Sequence, residues 1–280
     1  MFIIKKRGAG LCTLLLFFAI QQLVFGQGCS DAGFCTMGAM RPNQVYSRAK
    51  NIRITTLETG VNVAYTKFHD IIITHTLDAN IALSKKSFLQ VKVPYVTVSG
   101  KLAHTKGIGD ISISYTRSIY SNERYALNFS VGAKIPTNKS DILKDTLPLP
   151  MYYQTSLGTY DLITGLSWIS SKWLFAFGYQ MPIINRNQNE FHWTAWANNE
   201  NSNIALQYPQ SWNLKRGNDV MLRIERNFRF SRFNFFTGLL PIYRINKDVI
   251  DFSQDPVLNR GKVNGSNGLV VNGLFGCGYQ

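Results

Sequence analysis

The sequence predicts an all-β fold: a closed antiparallel transmembrane β-barrel of about 12 strands, within a range of 10–14, since each tilted spanning strand takes about 9–11 residues. Three observations predict it. The chain opens on an export signal, its side chains past Asn51 alternate with a period of two, and the apolar register is aromatic while the polar register is small.

The signal comes first. In "MFIIKKRGAGLCTLLLFFAIQQLVFGQ" a basic cluster (Lys5, Lys6, Arg7) precedes an apolar run from Leu11 to Ile20 and small residues near Gly26. The run is shorter than the about 20 residues of a spanning helix. Cleavage after Gly26 makes residues 1–26 a signal peptide with Gln27 as the new start. A lipidated Cys29 is the alternative. A lipobox wants a branched apolar residue three positions before the cysteine, where this chain has Gly26.

Residues 27–51 follow as a short segment, and 52–280 as the barrel. In an oxidising compartment "CSDAGFC" reads as a disulfide loop between Cys29 and Cys35, against two unpaired thiols. Cys277 has no evident partner. With Phe34, Met37 and Met40 beside it, the stapled segment is expected to pack into the lumen as a hatch. Proteolysis at Arg41 regardless of redox state would count against that. The formal charge of +14 permits nucleic acid, anionic lipid or no specific partner. Export argues against nucleic acid.

The strands then follow in order. Residues 61–65, 71–77, 81–84 and 89–96 alternate loosely, and "GIGDISISYTRSI" (107–119) sets Ile111, Ile113, Tyr115 and Ile119 against Ser112, Ser114, Thr116 and Ser118. In 124–135 Tyr125, Leu127, Phe129, Val131, Ala133 and Ile135 share one face. In 160–168 Tyr160 and Trp168 end an apolar row like an interface girdle. In 172–181 Trp173, Phe175, Phe177, Tyr179 and Met181 oppose Lys172, Leu174, Ala176, Gly178 and Gln180. In 218–228 Val220, Leu222, Ile224 and Phe228 share a face that Arg226 interrupts. Residues 232–244 and 268–279 close the series. Short turns ("SNER", "ISSKW") alternate with long polar connections at 136–153, 184–217 and 246–267, the asymmetry of an outer-membrane barrel.

A soluble sandwich also alternates, but it fills the apolar face with branched aliphatics and shows charge to water. Here the chain is 13% aromatic and 16% charged, and the polar register is rich in Gly, Ala, Ser and Asn. That composition suits a confined lumen inside a lipid-facing wall.

Chemical motifs are sparse. "GIGD" would cradle phosphate only ahead of a helix, whereas a strand follows, so its glycines read as a turn leading into that strand. His69, His75, His104 and His192 have no paired spacing, and no Cys/His cluster suggests a metal. No catalytic residue and no cofactor is expected. Ionisable residues inside a barrel pair or line a path. On the period of two these are Lys92, Asp110, Lys134, Asp161, Asp219, Arg223, Glu225 and Arg244. Either they form a salt-bridged plug or they contact a permeating solute.

"VKVPYVTVSG" (91–100), "GIGDISISYTRSI", "LNFSVGAKIPTN" (127–138) and "LPLPMYYQTSLGTYDLITGLSW" (147–168) occur in that order. Together they resemble outer-membrane proteins of the MetA-pathway-of-phenol-degradation type, or more loosely hydrocarbon transporter-like barrels, over residues 60–182. Asn138 stands where that family usually has glycine, Ser156-Leu157-Gly158 replaces Gly-Ser-Gly, and the chain ends Tyr279-Gln280 rather than on an aromatic residue. The resemblance implies a Gram-negative outer-membrane channel or transporter for small hydrophobic or aromatic molecules. Its partners would be outer-membrane lipid and, during biogenesis, the barrel-assembly machinery. A plugged structural or surface-interaction barrel is the alternative.

Overall fold

The computed structural model describes residues 53–230, 233–252 and 260–279. The expected signal peptide (1–26), the segment 27–51 and the expected Cys29–Cys35 disulfide lie outside the described residues. The fold is all-β, built on one large antiparallel sheet curled into a half-barrel.

Its long strands are β1 (Arg53–Tyr65), β2 (Ile71–Ser84), β3 (Ser87–Ser99), β5 (Ile111–Ser121), β6 (Tyr125–Ile135), β9 (Thr159–Ser170), β10 (Trp173–Asn185), β11 (Asp219–Phe230), β12 (Phe233–Arg244) and β15 (Gly268–Tyr279). They pair in that order as a meander, and β4 (His104–Ile108) pairs with β3 beside the path. Two small hairpins, β7 (Leu143–Lys144) with β8 (Leu147–Pro148) and β13 (Val249–Asp251) with β14 (Arg260–Lys262), sit within the long connections.

Among the described residues the strand path is therefore ten long, against a central expectation of about 12 and a range of 10–14. One reason is β2. The sequence reading divides it into 71–77 and 81–84, yet Leu77 to Asn80 stay extended and paired with β3 throughout. Asp78 and Asn80 merely continue the inward register of Thr74 and Thr76.

A second correction concerns "GIGD". Rather than a turn, Gly109 and Asp110 form a break within one long strand, because both β4 and β5 pair with β3, on either side of Pro94. Proline has no N–H to give a neighbouring strand. The ladder therefore opens there, keeping only the bond from Gly109 N to Pro94 O, 2.8 Å.

The faces of the sheet have unusual polarity. Outward side chains such as Phe177 are 53% exposed, while the inward Gln180 on the same strand is 1% exposed. The pattern repeats from strand to strand: Leu166, Phe175, Leu222 and Tyr243 are exposed, whereas Thr116, Asn128, Ser130, Ser167 and Glu225 are buried. Ordinary water-soluble domains place these residue types the other way round. Arg226, which interrupts the apolar row of β11, lies with its guanidinium 4.7 Å from the Trp173 ring centroid across the strand pair. A cation–π contact holds it on the outer face.

Short turns (Lys85–Lys86, Asn122–Arg124, Ser171–Lys172) gather at one end of the sheet, with the start of β1 and the finish of β15. Every long connection lies at the other end. These connections are ordered by their own side chains. In "NRNQNE" alternate asparagines substitute for a ladder: Asn185 donates to Leu214 O (3.0 Å), Asn187 to Leu157 O (2.9 Å), and Asn189 to Ser140 O (3.2 Å) and Leu149 O (2.9 Å). A loop that reads as polar and structureless is thus satisfied almost as a sheet is.

Candidate functional site

The inner face carries two layers, an ionic belt across the strands and an apolar cap over the long-loop end. Strand register creates the belt. Asp78 pairs with Lys92, Lys92 with Ser112, Ser112 with Lys134 and Lys134 with Asp161, each on the adjoining strand; farther on, Gln180 pairs with Asp219, and Asp219 with Arg244.

Charges meet along it. Lys92 Nζ lies 3.3 Å from Asp78, and Lys134 Nζ lies 3.0 Å from Asp161 and 3.7 Å from Asp110. Gln180 extends the belt by donating to Asp161 (2.5 Å). At the far side Arg244 Nε lies 3.0 Å from Asp219 and its Nη1 2.9 Å from Asp248, and Arg216 lies 3.3 Å from Asp219. Nearer the short turns, Arg223 Nε donates to Glu225 Oε1 at 2.6 Å.

All eight charges named from the period of two therefore face inward, and each is ion-paired. Buried ions need such partners, since desolvation otherwise outweighs any benefit. Asp110 also anchors a loop, because Leu157 N donates to its Oδ2 at 3.2 Å and ties the β6–β9 connection to the break in the strand. On the short-turn side of the belt, Glu225 Oε2 and the side-chain amide of Asn227 are buried without a hydrogen-bond partner among the described residues. Atoms of this kind are ordinarily met by water or a guest.

The cap is built from connections. Phe68, Leu102, Leu149, Phe191, Trp196 and Tyr208 pack on the inward Ile72, Val96 and Val98. Phe68 and Tyr208 have ring centroids 4.3 Å apart, and Trp196 Nε1 donates to Pro148 O at 2.7 Å. At its centre is Asp70, 0% exposed. Its Oδ1 accepts from the Tyr153 and Tyr208 hydroxyls at 2.7 Å each, and Thr66 Oγ1 donates to its Oδ2 at 3.2 Å. Three separate connections are thereby joined at one carboxylate. Gly100 must lack a side chain here, because a Cβ would overlap Asp70 Oδ1 and the Tyr153 hydroxyl.

Burial, first of all, raises both phenols well above their ordinary range. Since the unfolded phenols ionise earlier, at about pH 10, stability is full below that pH and falls as pH rises beyond it. Tyrosinate absorbance should therefore show a late-ionising pair whose titration coincides with loss of the loops' near-UV circular dichroism. A single early titration of all tyrosines would contradict the buried cluster.

Neither a family profile nor a curated protein matches the chain. The site must therefore be read from its own chemistry. Among the described residues, no group of three His, Cys, Asp or Glu side chains is placed to hold a metal. The histidines are dispersed: His104 Nδ1 meets Ser99 Oγ (2.8 Å) on an exposed hairpin, His192 stacks on Trp212 (4.6 Å), His69 meets Tyr65, and His75 lies on β2.

Sequence reasoning missed Asp70, Asp78, Arg216 and Asp248. Asp78 was recoverable, because an unbroken period of two through β2 puts it inward. The other three belong to connections, where no periodicity exists to assign a direction.

Asn138 donates from its side chain to Ile108 O at 2.9 Å. Gly158 keeps the left-handed conformation its loop needs, with φ of 68° against the backbone of Asn187.

Proposed function

We propose that the protein is an outer-membrane β-barrel that conducts small hydrophobic or aromatic molecules and is closed at its outer mouth by the loop cap. The observation that carries this reading is the polarity of the sheet, with aromatic and aliphatic side chains outward and paired ions inward. A water-soluble sheet of this size would expose an apolar surface far beyond what solubility tolerates. Lipid removes that cost, provided every backbone polar group finds a partner within the sheet.

Closure of β15 on β1 follows from the same requirement. The two edges run in opposite directions and both alternate, with Leu57, Val61 and Val63 outward on one and Leu269, Val271 and Phe275 on the other. Their seam would continue the antiparallel meander and give an even strand number, as outer-membrane barrels have. The long connections would then face outside and the short turns the periplasm.

For transport, support comes from an apolar cap that contacts a solute before the belt does, from unsatisfied polar atoms beyond the belt, and from the resemblance to hydrocarbon transporter-like barrels. The ion pairing of all eight inward charges supports the second reading, a structural barrel with a plugged lumen.

Uptake of a small aromatic solute into liposomes separates the two. Flux should be measurable for the intact protein and should rise several-fold in Asp70→Ala, whose cap is loosened. Zero flux for the intact protein, for Asp70→Ala and for a variant lacking residues 27–50 would exclude transport and leave the plugged barrel.

A further inference from the structure

We propose that the short-turn end bears a cationic aromatic collar that binds the phosphate head groups of anionic phospholipids in the adjoining leaflet. The inference rests on the membrane reading above and adds a lipid partner to it. Its first support is charge. Lys85, Lys86, Arg124 and Lys172 occupy the turns, and Arg117 and Arg226 stand on the outer register one or two steps inside them. Glu123 is the acid among the described side chains of this rim. The opposite end interleaves both signs, as in Lys139 with Asp141, Lys144 with Asp145 and Lys247 with Asp248.

Its second support is the band of rings directly behind these cations. Tyr120 and Tyr125 have centroids 5.6 Å apart, Tyr125 and Trp168 6.0 Å, Trp168 and Phe175 5.6 Å, and Phe175 and Trp173 5.7 Å. This is one continuous chain of contacts across neighbouring strands, at the depth where amphipathic rings mark the head-group boundary. Arg226 lies between the two layers, 4.7 Å over Trp173 and 5.6 Å from the Phe228 centroid. A guanidinium stacked on a ring still offers its N–H edge, which matches phosphate in a bidentate way.

Cations alone would be a solvated rim. Set just beyond an aromatic band, they meet phosphate only if the apolar rings are seated in acyl chains, so a bilayer head group satisfies both layers at once. Lone phosphate satisfies only one.

The test uses the full mature chain refolded into neutral phosphatidylcholine vesicles, with and without phosphatidylglycerol. Heat-modifiable electrophoretic mobility in both vesicles reports insertion and so tests the membrane reading separately. Its absence in both overturns that reading and the collar with it. In inserted protein, tryptophan quenching by brominated phosphatidylglycerol is compared with quenching by brominated phosphatidylcholine. Trp168 and Trp173 are at the collar, whereas Trp193, Trp196 and Trp212 are in the far connections.

Preference for phosphatidylglycerol is expected to be at least tenfold and to fall about fivefold for each of Lys85→Gln, Lys86→Gln and Lys172→Gln. These turn side chains are exposed, and glutamine leaves in place the backbone bonds that Lys86 O and Lys172 O accept from Ser118 and Asn227. The preference should also collapse in high salt. Equal quenching by the two lipids in properly inserted protein overturns the proposal. So does loss of the preference on adding inorganic phosphate at constant ionic strength, which would make the collar a site for free anions.

Discussion

Replacing Asp70 with alanine is expected to release the long connections while leaving the sheet intact. The carboxylate is the shared acceptor of two buried phenols, and the phenols are themselves 3.0 Å apart. Without it, Tyr153 and Tyr208 keep only each other and the Leu102 N–H. Hydrogen bonds to a charged group contribute about 1.5–3 kcal/mol each, so a loss of about 3 kcal/mol is expected.

That loss should appear locally. Amide exchange across residues 186–218 should accelerate by about two orders of magnitude, since about 1.4 kcal/mol corresponds to a factor of ten. Exchange in β6, β9 and β10 should hardly change. Unchanged exchange in the loop would mean that Phe191, Trp196 and the asparagine ladder hold the cap without Asp70. Tyr208→Phe removes one donor and leaves the other, so it should produce a smaller change of the same kind.

Lys134→Met should destabilise the sheet itself, by about 3–5 kcal/mol, because it strands two buried carboxylates. Lys134 faces Asp161 at 3.0 Å and Asp110 at 3.7 Å, and methionine preserves its length without its charge. The measurement is the urea midpoint of the refolded protein. Adding Asp161→Asn should recover part of the loss, since the remaining Asp110 still accepts from Leu157 N. A midpoint unmoved by Lys134→Met would mean that water screens these carboxylates. That result would favour a wet, open interior over a plugged one.

The two variants also separate the parts of the proposed mechanism. Asp70→Ala acts on the mouth, and Lys134→Met acts on the wall. A solute limited by the cap responds to the first with more flux. A solute limited by the belt responds to the second.

Much of this architecture was legible in the sequence because a strand has only two faces. Once Phe175, Phe177 and Tyr179 are assigned to one side of β10, Leu174, Ala176 and Gln180 have nowhere else to go. The same logic orients the eight named charges inward with no knowledge of their partners. It fails at Leu77–Asn80, where a polar pair looks like a turn, and at "GIGD", where a glycine pair opposite Pro94 looks like one. In both places the neighbouring strand keeps the chain extended.

By itself, then, the sequence determined the period, the direction of side chains wherever that period runs unbroken, and the contrast between an aromatic outside and a small, polar inside. Those are local properties, set by backbone geometry and composition. Only the tertiary structure decided which charges meet, because Lys134 finds Asp161 through the register of β6 on β9, and no spacing within the chain encodes that. It alone also decided that Asp70, Tyr153 and Tyr208 converge, since a loop residue has no periodic direction and acquires one only from what it packs against.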